Sequence, residues 1–454
     1  MTEAQKKKQL FGTNGVRGIV GRDMTPLLAM RIGMALGSMR KGTIAVGRDT
    51  RTSGQALAHA LSAGLLAAGC DVCDVGIVPT PALQYLVRQH FDAGAMITAS
   101  HNPPEWNGIK VIEPDGTEMD DDASIALEER LFAESFDCAA WDGVGRETAA
   151  PDLVEEYIAA VAGAFPGGIG SGMTVVVDPG SGPAARTTPA ILARMGCTVH
   201  TVNAIFDGTF PGRLPEPSPE GLAPLAALVR ETGAHFGVAH DGDADRAVFV
   251  DETGTYLEEN REFALLQEYV CSTRPGLVVT PVATSRLCEV VAKATGCRVA
   301  YTAVGSITVA RTMLARAAEG ETVVFGGEGN GGPIFPAHQH CRDGGMTAAA
   351  MVALLAGGDR PLSARAAGLP PYVMLKEKIM TAEKEGVLAR VAAAFADTPL
   401  DTTDGIRINL PRAWALIRPS GTEDFMRLLV EGETKADAEE LYTRVRAAIG
   451  KPKA

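Results

Sequence analysis

The sequence predicts an α/β protein of three similar α/β domains with mixed, largely parallel sheets, followed by a smaller C-terminal α+β domain. Three observations carry this. The chain has 454 residues, more than one compact core holds, at about 100–200 residues per domain. One strand-loop-helix-Gly-Cys-strand unit recurs three times along it. The last part of the chain then changes to short strands and two helices.

The repeat begins with the strand-like run 43–46, leading through Gly47-Arg48-Asp49 and Ser53-Gly54 into a helix-period stretch ending at Ala67, then Gly69-Cys70-Asp71-Val72. It returns as 173–177, Asp178-Pro179-Gly180, a helix over 189–195 and Gly196-Cys197-Thr198-Val199. Its third copy is 277–280, Pro281, Ser285, a helix over 286–294 and Gly296-Cys297-Arg298-Val299. Val/Ile-rich strands that feed helices through Gly-containing loops make parallel sheets covered on both faces. The tail reads as a strand over 372–380, a helix over 387–395, strands over 405–409, 414–417 and 426–431, and a helix over 437–449. The expected domains are 1–150, 151–252, 253–368 and 369–454.

Composition narrows the function classes. Hydrophobic residues make up 46% and charged residues 21% of the chain, with 51 glycines and 27 prolines, the mix of a packed protein and not of low-complexity sequence. The formal charge of −13 leaves no global basic field to gather nucleic acid, so any phosphate site must be local. Residues 1–10 lack an apolar run behind Lys6, Lys7 and Lys8, and no stretch approaches the ~20 apolar residues of a membrane span, so neither a signal peptide nor a membrane partner is expected. Eight scattered cysteines read as reduced thiols in a cytoplasmic protein. Only Cys70-Asp-Val-Cys73 has a suggestive spacing, and no second Cys or His pair completes a metal site.

Four loops could carry chemistry. Ser100-His101-Asn102-Pro103 follows the buried-strand run 95–97, where open α/β sheets place ligands. The same residues also make a good turn, and no Gly-x-Ser-x-Gly nucleophile elbow is present. Asp241, Asp243 and Asp245 stand at alternate positions between strand-like 236–239 and 247–250. Three carboxylates in one tight loop repel unless a cation neutralises them. Arg246 stands where a calcium-binding EF-hand needs glycine, so Mg2+, with coordination left for a phosphate oxygen, is the expected ion. Gly326-Gly327-Glu328-Gly329-Asn330-Gly331-Gly332 offers an acceptor and an amide suited to sugar hydroxyls, or is a plain flexible turn. Arg418-Pro419-Ser420-Gly421-Thr422-Glu423, with Arg427 beyond it, joins a guanidinium fork to hydroxyls and backbone amides, as a phosphate monoester needs, or is a charged surface turn. A hydroxyl, a metal cage, a polyol reader and a phosphate clamp, without a nucleotide signature, suit phosphoryl transfer to or from a sugar phosphate.

With these loops in order from Phe11-Gly12-Thr13-Asn14-Gly15-Val16-Arg17-Gly18 to the last helix, the chain resembles the α-D-phosphohexomutase family. The resemblance implies four domains around a central cleft, with Ser100 as phosphoserine and with Ser100, Asp241, Asp243 and Asp245 as Mg2+ ligands. It implies that Arg17, His101, Lys110 and Arg246 line the reacting phosphate, Lys110 being the general acid/base. Neighbouring cations and burial are then expected to depress the Lys110 pKa. Glu328 and Asn330, with Gly305 beside the sugar, would read the substrate; Arg418, Ser420, Gly421, Thr422 and Arg427 would hold the phosphate that is not reacting. The implied reaction moves phosphate between the 6- and 1-positions of a hexose through a hexose bisphosphate, which also primes the serine. Gly332 replaces a histidine found in other branches. That form of the loop is similar to an archaeal branch assigned to glucosamine-6-phosphate and glucosamine-1-phosphate; relatives take glucose or mannose phosphates. A Mg2+-dependent sugar phosphatase is the alternative from another class.

Overall fold

The protein is described here from a computed structural model, which describes residues 8–12, 14–420 and 424–450. The three α/β domains and the smaller C-terminal domain are present. They form two compact units: residues 1–262 with 330–364, and residues 263–329 with 365–454.

In the first unit, one six-stranded sheet runs in the order Val16–Ile19, Trp106–Ile112, Ala93–Ile97, Thr43–Arg48, Asp71–Ile77, Glu147–Ala149. Its first two pairings are antiparallel and the rest parallel. The second sheet has the order Tyr256–Leu257, Ala247–Asp251, Phe236–His240, Thr174–Asp178, Thr198–Thr201, again half antiparallel and half parallel. Ala93–Ile97 and Phe236–His240 are buried along their whole length. The loop that leaves the C-terminal end of each therefore starts from a fixed point.

The helix of the second repeat begins at Ala184 and carries Pro189 inside it, five residues earlier than its expected start. Proline at the sixth position costs one backbone bond, to the Ala185 carbonyl, without stopping the helix. Helix Gly344–Ala356 packs in the first unit and is buried on every side through Leu355, as its unbroken Ala/Met/Leu composition requires. Asp343 caps it through the Met346 N–H and also accepts from Tyr157 Oη at 2.6 Å and Gln339 Nε2 at 2.8 Å.

In the second unit, strand Leu277–Pro281 pairs in parallel with Arg298–Thr302 and Val323–Glu328. The latter strand continues to Glu328, so Gly326 and Gly327 lie in the sheet and not in a loop. A Cβ on Gly326 would sit 2.4 Å from the Val279 carbonyl oxygen, so this glycine serves strand packing. The C-terminal domain is an antiparallel sheet, Val373–Met380, Phe425–Gly432, Ala413–Pro419, Ile406–Asn409, Leu400–Asp401, backed by helices Lys384–Ala394 and Lys435–Ile449. Buried Arg407 ties the two parts of this unit together: its guanidinium lies over the rings of Tyr301 (4.9 Å) and Trp414 (4.5 Å) and donates to the Val282 carbonyl at 2.9 Å. Among the described residues, no helix is long and apolar enough to cross a membrane.

Candidate active site

Ser100 leaves its strand with φ +48° and is almost fully buried. Few residues other than glycine hold a positive φ, so its surroundings must impose it. The Ser100 N–H donates to Thr98 Oγ1 at 2.9 Å, and Thr98 Oγ1 donates to Asp49 Oδ2 at 2.6 Å. Ser100 Oγ then points at the second sheet, donating to Asp241 Oδ2 at 2.9 Å, with His101 Nδ1 3.4 Å away. The aspartate loop approaches so closely that a Cβ on Gly242 would lie 2.3 Å from the Ser100 carbonyl oxygen. The Gly242→Ala variant is expected to lose about 100-fold in turnover, because a shift of about 1 Å in the nucleophile costs that much; steady-state kinetics with circular dichroism checks it.

Asp241, Asp243 and Asp245 bring one carboxylate oxygen each to within 4.8 Å of one another, all three buried. Asp243 Oδ1 and Asp245 Oδ1 are buried and have no hydrogen-bond partner, so two acceptors of the cluster are left for another donor or a cation. Hard oxygen donors in that arrangement fit a small divalent cation. Burial and the two neighbouring carboxylates lift the Asp241 carboxyl to about 7, against the pull of Arg246 and Arg342. Thr80, the first residue of helix Thr80–His90, donates its Oγ1 to Asp243 Oδ2 at 2.6 Å and its N–H to the Asp243 carbonyl.

Four cations surround these carboxylates. Lys110, 1% exposed, donates to Asp243 Oδ2 (2.9 Å) and Asp245 Oδ2 (3.2 Å) and lies 3.5 Å from Glu118. Arg246 donates its Nε to Asp241 Oδ2 (3.2 Å) and its two terminal nitrogens to Glu216 (3.0 and 2.9 Å). Arg342 donates to Asp245 Oδ2 at 2.5 Å. Arg17 donates to Asn102 Oδ1 at 2.9 Å and feels the charges of Asp243, Asp245 and Glu118.

The expectation of a depressed Lys110 pKa is corrected. Burial is the largest single influence and pushes it down, but Asp243, Glu118 and Asp245 together outweigh burial and Arg17, and the pKa is raised. Carboxylates, not cations, dominate its surroundings. The His101 ring is pulled down to about 4 by partial burial and then by Arg246 and Arg17, against Glu216, so it is neutral at neutral pH.

The first unit thus gathers Arg17, Ser100, His101, Lys110, Asp241, Asp243, Asp245 and Arg246. Gly305, Glu328, Arg418, Ser420 and Arg427 belong to the second unit. There Asp404 joins two of the expected loops: its Oδ2 accepts the Val304 N–H at 3.0 Å, next to Gly305, and lies 2.9 Å from Arg418 Nε. Arg418 faces Arg427 across the antiparallel pair, two like charges that suit a shared anion. Lys384 Nζ donates to the Ser420 carbonyl at 2.9 Å. Glu328 ends its strand and is buried, while Asn330, assigned to the first unit, is exposed. Gly421 and Thr422 lie outside the described residues.

Sequence reasoning missed Arg51, Glu216, Arg342 and Asp404. Arg342 and Glu216 carried a visible signal, an arginine before the Asp343-Gly344-Gly345 helix start and a carboxylate set between Pro215 and Pro217. Asp404 carried none.

Comparison with known proteins gives the family. Four consecutive domains of phosphoglucomutase/phosphomannomutase match the chain: α/β/α domain I over residues 8–137, domain II over 155–254, domain III over 258–372 and the C-terminal domain over 375–448. A phosphoglucomutase/phosphomannomutase of Thermococcus kodakarensis is 43% identical over 446 residues, 95% of this chain and 96% of that one. A probable phosphoglucosamine mutase of Methanopyrus kandleri is 42% identical over 444 residues, 95% of each chain. Among solved structures, a phosphoglucomutase/phosphomannomutase family protein from Burkholderia thailandensis superposes with a TM-score of 0.87 at 27% identity, covering 98% of this chain and 99% of that one.

Proposed function

Because the chain belongs to the phosphoglucomutase/phosphomannomutase family, we propose that it moves a phosphoryl group between the 6- and 1-positions of a hexose through phosphorylated Ser100, with glucosamine-6-phosphate and glucosamine-1-phosphate as its preferred pair. The observation that carries the reaction is Ser100 Oγ, buried and 2.9 Å from Asp241, inside a shell of Lys110, Arg246, Arg342 and Arg17. The substrate reading leans on relatives such as the Methanopyrus kandleri chain and on Gly332 in the sugar loop.

In the first half-reaction the bond between phosphorus and Ser100 Oγ breaks and a bond from phosphorus to the free sugar hydroxyl oxygen forms. The hydroxyl proton leaves the sugar and one proton arrives on Ser100 Oγ, where Asp241 accepts its hydrogen bond. The bisphosphate then turns end for end, and the second half-reaction runs the same exchange backward at the other phosphate. Atoms and charge balance over the cycle, so the net change is an isomerisation. Arg17, Lys110 and Arg246 meet the developing charge of the transferring group, which is where most phosphoryl-transfer catalysis lies. Lys110, protonated in the arrangement described, gives its proton to the departing Ser100 Oγ and takes up the proton that leaves the sugar hydroxyl, so it ends the step protonated as it began. Asp241, Asp243 and Asp245, with the Ser100 oxygen, would hold Mg2+, which when bound supplies Lewis-acid charge to the phosphoryl oxygens. Arg418, Ser420 and Arg427, with Gly421 and Thr422, hold the distal phosphate, and Glu328, Asn330 and Gly305 face the sugar.

Turnover of glucosamine-6-phosphate, glucose-1-phosphate and mannose-1-phosphate in parallel, with Mg2+ and a trace of hexose bisphosphate, tests this reading. Glucosamine-6-phosphate is expected to lead in kcat/KM. A lead for the neutral hexoses makes the protein a phosphoglucomutase/phosphomannomutase instead, and release of inorganic phosphate without isomer makes it a phosphatase.

A further inference from the structure

Two buried arginines outside the reacting shell repeat one construction. Arg51, 2% exposed, gathers the main chain of the serine loop: its terminal nitrogens donate to the carbonyls of Ser100 (2.8 Å), Asn102 (2.6 Å), Pro103 (2.6 Å) and Trp106 (2.8 Å). Its Nε is held by Asp49 Oδ2 at 3.1 Å. Asp49 directly follows strand Thr43–Arg48, which pairs in parallel with the strand that delivers Ser100. Arg213, 7% exposed, treats the aspartate loop alike: it donates to the His240 carbonyl at 2.7 Å, one residue before Asp241, and its Nε is held by Asp178 Oδ2 at 2.9 Å. Asp178 ends strand Thr174–Asp178, the parallel neighbour of the strand that delivers Asp241.

The two clamps are joined by segment 207–213. Phe210, buried with φ +51°, lies under the Arg51 guanidinium at 5.3 Å. A Cβ on Gly208 would lie 2.4 Å from the Thr50 carbonyl oxygen, and one on Gly180 would lie 2.6 Å from an Arg213 terminal nitrogen, so both glycines are needed for the close fit. One guanidinium gathering four carbonyls fixes a loop that no regular element holds, and four charge-assisted bonds of this kind resist displacement.

We propose that Arg51 and Arg213 are positioning residues: Arg51 through Asp49, and Arg213 through Asp178, set the serine loop and the aspartate loop, and segment 207–213 braces the two so that Ser100 Oγ stays in register with Asp241. Neither arginine touches the reacting groups through its charge on phosphate. This rests on the proposed roles of Ser100 and the three aspartates. Lysine in place of arginine keeps the charge and loses the fork.

The test uses the full chain and reads two quantities separately: the rate of Ser100 labelling from 32P-hexose 1,6-bisphosphate by rapid quench, and Mn2+ affinity by electron paramagnetic resonance. Arg51→Lys is expected to label about 100-fold more slowly, with half-saturation by the bisphosphate and Mn2+ affinity little changed. Arg213→Lys is expected to bind Mn2+ about 10-fold more weakly, the size of an outer-sphere effect on a metal site. Should Arg51→Lys not fold, Phe210→Leu is measured in its place against the same expectation. Native-rate labelling by the folded variant overturns the proposal, as does an equal loss of both quantities alongside a lowered melting temperature, which is a general structural role. A native chain that takes no label on Ser100 overturns the proposed function and this inference together, whereas a labelled native chain with an indifferent variant overturns only the brace.

Discussion

Ser100→Ala is expected to abolish isomerisation of every hexose phosphate, by on the order of 10⁴-fold or more, since the residue removed is the proposed carrier of the covalent intermediate. The loss should fall on kcat. The methyl group fits where Oγ stood and the hydroxyl donates a single hydrogen bond, to Asp241, so the melting temperature should stay close to native, while Mn2+ affinity should fall because one of the four proposed metal ligands is gone. Mass spectrometry after incubation with hexose bisphosphate should find no phosphate on the variant and one on the native chain. Turnover by Ser100→Ala above about 1% of native would contradict the assignment of this serine.

Lys110→Met carries the second large effect, and it separates two roles. Lys110 is a buried cation shared by Asp243, Asp245 and Glu118, at 2.9, 3.2 and 3.5 Å. Methionine keeps an unbranched chain one atom shorter and removes the charge, so three buried carboxylates lose their common partner. Breaking a buried ion pair from one side costs about 3–5 kcal/mol, and thermal unfolding in chelator should show that loss. The same aspartates are the proposed Mg2+ ligands, so adding Mg2+ should return most of the lost melting temperature to the variant while stabilising the native chain less. Turnover should stay lost in Mg2+ while Ser100 phosphate remains detectable. A variant with native turnover would remove Lys110 from the chemistry, and equal Mg2+ stabilisation of variant and native chain would remove it from competition for the aspartates.

The sequence carries the architecture through its periodicity. The three Gly-Cys returns mark the strands at Asp71–Ile77, Thr198–Thr201 and Arg298–Thr302, because a helix that packs back on a parallel sheet needs the same turn each time. It also carries the reacting groups, since Ser100 and the alternate aspartates stand at strand ends. What it hides depends on distance along the chain. Arg51 and Arg213 act through main-chain oxygens 49 and 27 residues away, and carbonyls leave no residue signature. The carboxylates in hydrogen-bond contact with Lys110 are not legible from its sequence neighbours: Asp243 and Asp245 come from another sheet, more than 130 residues on. The strand position of Gly326 is hidden because a glycine run looks alike whether it frees a turn or makes room for the Val279 carbonyl.

The central claim is that phosphate passes from Ser100 to the sugar and not to water. Native chain labelled with 32P on Ser100, freed of excess bisphosphate and mixed with Mg2+ and one equivalent of glucosamine-6-phosphate, should hand its label to hexose bisphosphate and monophosphate within the time of one turnover. Label released as inorganic phosphate at that rate, with the sugar unlabelled, would contradict it.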